Sequence, residues 1–155
     1  MSKPRVILTP AGRKIDDIFH PDDLARLKDL VEVIHGRDEM MPRDAFHDAL
    51  RGAEAVVFGT WPGDPDAARS APVLKAILEV YGSHAHPEID GITALECGVR
   101  FGSCAWAFGP GVAEMALALT LACTRQVVTG DRKFRQGDEV YERAGWENTF
   151  EFTGR

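Results

Sequence analysis

The chain has 155 residues, 45% hydrophobic and 27% charged, with a net charge of −6 at pH 7. This is enough apolar material for a globular domain with a sizeable core. The acidic balance argues against nucleic acid or an anionic membrane surface as partner, because neither would be attracted. The three cysteines, Cys97, Cys104 and Cys123, are odd in number and lack CxxC spacing, which rules out a disulfide framework. Each lies among apolar neighbours in sequence and reads as a small hydrophobe. The amino-terminal MSKPRVILTP has no apolar run of signal-peptide length, so a cytoplasmic protein is expected.

In chain order, apolar and β-branched runs predict strands at Arg5–Thr9, Val31–His35, Ala55–Gly59, Leu74–Tyr81 and Val99–Cys104. Runs such as AVVFG are apolar at consecutive positions, as expected of strands buried on both faces of a parallel sheet. Helical patterns fall between them. Pro21–Leu30 has proline at its start, and Pro42–Arg51 ends before Gly52. A short piece lies near Asp66–Ser70, and Ile89–Cys97 ends before Gly98. Strand–helix alternation of this kind predicts an α/β fold with a parallel sheet of about five strands and flavodoxin-like layering.

Val99–Arg125 then reads as a strand, a loop carrying Trp106, Phe108 and Gly109-Pro110-Gly111, and a helix over Gly111–Arg125. From Gly111 to Cys123 only Glu114 and Thr120 are polar. A helix apolar on nearly every side is expected to be buried all round. Its fifteen residues fall short of the about 20 that cross a bilayer, so it is expected between layers, domains or subunits. Gly130–Arg143 is a more polar helical stretch with Gly137 inside it. Its basic quartet Arg132-Lys133-Phe134-Arg135 reads as a solvated face. Trp146, Phe150 and Phe152 in the tail call for a partner surface.

Among local constellations, Ser83-His84-Ala85-His86 follows the fourth strand, at the carboxyl end where open parallel sheets bind ligands. A ligand-facing loop and a solvated loop are both readings of it. His84 and His86, with Glu88 and Asp90 nearby, could pair on a metal, but a third ligand in fixed geometry is not evident and no metal is expected. Trp61 reads as a loop aromatic packed on the domain, with a cover over a pocket as the alternative. Gly109-Pro110-Gly111-Val112-Ala113-Glu114 fits the start of GxGxxG but carries Glu where a small residue is needed, so a loop and helix start is the better reading. No G-x-S-x-G and no Gly-Lys-Ser/Thr occurs.

Two segments carry a resemblance. VRFGSCAWAFGPGVAEMALALTLACTR at Val99–Arg125 resembles the crossover segment of the D-isomer-specific 2-hydroxyacid dehydrogenases, in which a helix beginning VAE links substrate and nucleotide domains. LKAILEVYGSHAHPEID at Leu74–Asp90 is similar to that family's LKAI strand, substrate-facing loop and following helix start. The resemblance runs in register from about Arg5 to Arg155. It implies a substrate domain over residues 1–106, and a hinge and dimerisation helix leading toward a nucleotide-binding domain over 107–155.

By the same resemblance Ser83, His84 and Ala85 hold the substrate carboxylate, where the family usually carries glycines. Val112 lies near an NAD or NADP cofactor, and a homodimer is expected. No residue matches the family's catalytic Arg, Glu or His, so the chain reads as the amino-terminal part of such an enzyme, inactive alone. The alternative is a non-catalytic flavodoxin-like module for ligand binding or dimerisation.

Overall fold

The computed structural model describes residues 2–82 and 89–138. Five parallel strands, β1 (Arg5–Thr9), β2 (Glu32–His35), β3 (Ala55–Phe58), β4 (Ala76–Glu79) and β5 (Arg100–Ser103), form one sheet in the order β2-β1-β3-β4-β5. The first helices are α1 (Ile15–Ile18), α2 (Pro21–Leu30), α3 (Arg43–Leu50) and α4 (Gly91–Glu96), with a 3-10 turn at Ala67–Ser70. The parallel α/β reading therefore holds, and the order is the flavodoxin-like one. The chain divides into two compact units, Met1–Ala107 and Phe108–Arg155.

Register explains the core of the first unit. Ile34, Ile7, Val56, Ile77 and Phe101 are successive partners across all five strands and so project from one face. Against them pack Phe46 and Leu50 of α3, Ala67 and Ala68 of the 3-10 turn, and Ala94 of α4. The β1→β2 connection steps one way along the sheet and later connections step the other. Right-handed crossovers then put α1 and α2 on the opposite face from α3 and α4. That opposite face carries the row Leu8, Val57, Leu78. Leu8 is fully buried but Leu78 is 43% exposed. The expectation of strands buried on both faces is therefore corrected for β4: within the first unit, α3 and α4 pack on the Ile77 face, and Leu78 stays partly exposed.

Helix boundaries follow local chemistry. In α2, Pro21 takes the first position, where its missing N–H costs nothing, and the His20 ring accepts from the Asp22 amide at the long distance of 3.5 Å. In α4, Asp90 caps the amino end. Its carboxylate accepts from the amides of Ile92 (3.1 Å) and Thr93 (3.2 Å) and from the Thr93 hydroxyl (2.5 Å). These bonds, led by the Thr93 hydroxyl and helped by the Arg69 charge, hold the Asp90 carboxyl below its ordinary value. A depressed carboxylate stabilises the fold above its unfolded pKa, and that contribution is lost as pH falls through the folded one. Carboxyl NMR titration should therefore show Asp90 deprotonating at lower pH than a free aspartate. Thr93→Ala should shift the midpoint upward, and an unshifted midpoint in the native protein would refute the cap's electrostatic role.

The long apolar helix, α5, spans Ala105–Thr124 and begins six residues before the Gly111 start expected from sequence. Trp106, Phe108 and the Gly109-Pro110-Gly111 segment are helical, not loop. The Ser103 hydroxyl accepts from the Ala105 amide at 3.4 Å, and the Ala107 amide bonds Cys104 O at 2.9 Å, so the turn starts directly after β5. Pro110 lacks the amide that would bond Trp106 O, and the helix continues through it. At 20 residues α5 is long and apolar enough to cross a membrane by length and composition, which removes the length argument made from fifteen.

Burial all round is also corrected for this chain by itself: Trp106 is 90% exposed, Val112 66% and Met115 60%. Helix α6 covers Val127–Arg135 and ends before Gly137, which lies beyond the helix and not inside it. In α6 the Arg135 guanidinium pairs with Asp131 at 2.9 Å. Cys97 and Cys123 are exposed and only Cys104 is half-buried, so the first two are not core hydrophobes.

Candidate functional site

In a 2-1-3-4-5 sheet the connections diverge between β1 and β3, leaving a crevice at the strands' carboxyl ends where ligands bind. Three loops meet there, after β1, β3 and β4. The β1 and β3 loops are in backbone contact. The Gly59 amide donates to Thr9 O at 3.1 Å, and the Thr60 hydroxyl donates to Ala11 O at 3.3 Å. A Cβ on Gly59 would overlap Ala11 O and lie 2.6 Å from Pro10 O, so only glycine permits this approach.

Gly12, at φ +95°, turns the chain so that Tyr81 Oη occupies the space a side chain at position 12 would need. Arg13 then stacks over the Tyr81 ring, with its guanidinium carbon 5.0 Å from the ring centroid. The corner thus brings together a cation, a phenol and a hydroxyl at the switch point. Glu79, at the end of β4, is 2% exposed.

Behind the corner an aromatic stack braces the β3 loop. Trp61 packs edge-on against Phe58 (5.2 Å) and Phe46 (5.0 Å), and its Nε1 donates to Asp64 O at 3.0 Å. Asp64 in turn pairs with Arg43 and sits 3.3 Å from His47 Nε2, both on α3. Trp61, only 5% exposed, is thus a packed loop aromatic and not a cover over a pocket.

Of the site residues expected from sequence, Ser83, His84 and Ala85 lie outside the described residues, as do His86 and Glu88. The chain that enters that segment, through Tyr81 and Gly82, leaves β4 at the same carboxyl edge. Asp90 is engaged in capping α4 and is not directed to a metal. Among the described residues no group of three or more His, Cys, Asp or Glu is placed to hold a metal ion.

Val112 is exposed on α5. The neighbouring Gly109 and Gly111 have no atom of another element within reach of a Cβ, and they lie inside the helix, not in a strand-to-helix turn. That geometry does not cradle a pyrophosphate, which needs backbone amides at a helix amino terminus. These glycines do not fit a dinucleotide. Gly12, Arg13, Thr60 and Tyr81 carry no local motif, and sequence reasoning misses them. Their only signal is Pro10-Ala11-Gly12 directly after a predicted strand.

No family model and no curated protein matches the chain. Solved structures do match. A phosphoglycerate oxidoreductase from Rhizobium etli is 24% identical with a TM-score of 0.69, covering 97% of this chain and 45% of that one. The holo form of Rhodotorula graminis D-mandelate dehydrogenase is 25% identical with a TM-score of 0.60, covering 89% of this chain and 41% of that one. A glyoxylate reductase from Paecilomyes thermophila is 20% identical with a TM-score of 0.57, covering 89% and 43%. The chain spans less than half the length of each of these structures. These solved oxidoreductases, a D-mandelate dehydrogenase among them, share the fold that the resemblance read from sequence implies.

Proposed function

We propose that this chain forms the substrate side of an NAD(P)-dependent D-2-hydroxyacid dehydrogenase. The observation that carries the reading is the 97% coverage of this chain by a fold shared with an oxidoreductase, with the crevice of a 2-1-3-4-5 sheet at its centre. In such an enzyme the bound nicotinamide supplies or accepts the hydride at the carbon bearing the hydroxyl. This chain's part is to bind and orient the acid. Residues 1–106 make the substrate domain, and residues 107–155 make the hinge helix and the lead into a nucleotide-binding unit.

The segment Ser83-His84-Ala85 receives the substrate carboxylate through backbone N–H groups, and Val112 faces the cofactor cleft. The other exposed apolar side chains of α5, among them Met115 and Leu119, make a homodimer face. Neither nucleic acid nor a membrane is a partner, and the protein works in the cytoplasm. No residue among the 155 matches the family's catalytic Arg, Glu and His, so proton transfer to the substrate oxygen is assigned to none of them.

The test is an NMR titration of the isotope-labelled chain with pyruvate. The reading expects amide shifts concentrated at Ser83–Ala85 and in the loops after β1 and β3. Shifts confined to other parts of the chain, or none at millimolar pyruvate, would overturn it.

A further inference from the structure

The amino edge of the sheet lies a strand's length, about 15 Å, from the crevice. It holds an open pocket of about 560 Å³, built from the start of β1, the turn after α3 and the residues leading into β4. Lys3, Arg5, Arg51 and Lys75 line it against only two carboxylates, Glu32 and Glu54. Positive charge is therefore in excess there, in a chain whose net charge is −6. The carboxylates are already engaged. Glu54 pairs with Lys75, and Glu32 stands 3.6 Å from the Nε of Arg5. Lys3 donates to Lys28 O at 2.9 Å. Arg51, directly after α3, has no side-chain hydrogen bond or ion pair among the described residues.

The second guanidinium reaches the same turn. Arg5 Nη1 lies 2.6 Å from where a Cβ on Gly52 would stand, so it fills the space left by the missing side chain. Arg5 thus turns its Nε edge to Glu32 and its Nη1 to the residue that follows Arg51. The dipole at the carboxyl end of α3 accounts for one cation near its last turn, but not for two guanidiniums lining one pocket. Two planar forks of N–H donors suit the oxygens of a phosphate better than the compact charge of an ammonium does. Another wall is apolar: Pro72 and Val73, with Val73 43% exposed.

We propose that this pocket is a binding site for a dianionic phosphomonoester, whose phosphate bridges Arg51 and Arg5 and whose apolar substituent lies on Val73. The site is separate from the crevice and does not depend on the substrate-side reading above.

The test is an NMR titration of the labelled chain at an ionic strength of about 0.15 M, where exposed charges are largely screened. The probes are phenyl phosphate, inorganic phosphate and benzoate, followed at the amides of Arg51, Gly52 and Val73. Phenyl phosphate should saturate these shifts and bind about fivefold tighter than inorganic phosphate, through the ring on Val73. It should bind about tenfold tighter than benzoate, which lacks the second charge and the third oxygen. Arg51→Gln should weaken phenyl phosphate about tenfold, the scale of a charged hydrogen bond, and Arg51→Lys should restore part of the loss. Gly52→Ala keeps every charge but displaces Arg5 Nη1, the end of a flexible side chain. It should weaken phenyl phosphate roughly threefold by spoiling the fork geometry, with the denaturation midpoint unchanged. The amides of Gly12 and Thr60 at the crevice should not shift with phenyl phosphate.

Shifts that rise linearly without saturating, or that persist unchanged in Arg51→Gln, would mean an adventitious ion only and would overturn the site. Benzoate binding as tightly as phenyl phosphate would overturn its preference for a phosphate. Inorganic phosphate binding as tightly as phenyl phosphate would overturn the part given to Val73. None of these results bears on the pyruvate titration at the crevice, so the two readings fail separately.

Discussion

Phe46→Ala is expected to destabilise the first unit by about 3–5 kcal/mol, the cost of removing a large buried aromatic and leaving a cavity. Phe46 is fully buried and belongs to the core cluster beneath the sheet. Two features place it at the upper end of that range. Its ring meets Trp61 edge-on at 5.0 Å, an arrangement that adds to area burial. Gly63 closes over the ring so tightly that a Cβ there would lie 2.6 Å from Phe46 Cε1, which leaves little slack for collapse into the void. Domains are stable by only about 5–15 kcal/mol, so the variant should sit near its unfolding threshold. Chemical denaturation checks this: the midpoint should fall with the slope unchanged. A loss under about 1 kcal/mol would mean that the stack does not hold α3 to the β3 loop.

Gly59→Ala is the second large effect, and it acts on the site as well as on stability. The new methyl would meet Ala11 O, Pro10 O and Pro10 C, all backbone atoms that cannot rotate away. The β1 and β3 loops must part, which endangers the Gly59–Thr9 and Thr60–Ala11 hydrogen bonds. Overpacking of this kind costs about 1–3 kcal/mol. Separation of the loops also displaces Gly12 and Thr60, so 2-oxo acid binding at the corner should be lost before the fold is. Gly91→Ala is the matched control, because nothing lies within 4 Å of a Cβ there. It should leave denaturation midpoint and binding unchanged. Full binding by Gly59→Ala would show that the loop contact does not shape the crevice.

Much of the sheet is legible in the sequence because its strands are short apolar runs bounded by breakers. The expected and observed limits of β1 coincide, and α2 is bounded by Pro21 and the residues after Leu30. β4, expected over Leu74–Tyr81, spans Ala76–Glu79, and the bonds from the Arg100 amide to Lys75 O (2.9 Å) and from the Val80 amide to Phe58 O (2.9 Å) carry the pairing one residue beyond each end. The start of α5 is hidden for a physical reason. Gly109, Pro110 and Gly111 together resemble a loop, yet helix propensity is a weak prior, and the turn is set by Ser103 and Cys104 directly after β5.

The candidate site is half legible. Ser83-His84-Ala85 is expected there from sequence because it follows a strand and resembles a known loop, and it lies outside the described residues. The Arg13–Tyr81 pair is not legible, because it exists only when strand order brings the β1 and β4 loops to the same edge. No local spacing encodes that order. Trp61 can be read either way from sequence, and only its contacts with Phe46 and Phe58 decide that it is core.

The most direct test of the central claim, that these 155 residues hold the acid and not the dinucleotide, is a combined calorimetric and absorbance measurement on the purified chain. NADH and NADPH are titrated in turn, and a panel of 2-oxo acids is then added while cofactor absorbance is followed. The account predicts no dinucleotide binding in the micromolar range and no turnover above background, together with measurable heat from 2-oxo acids alone. Turnover, or micromolar binding of either dinucleotide, would contradict it.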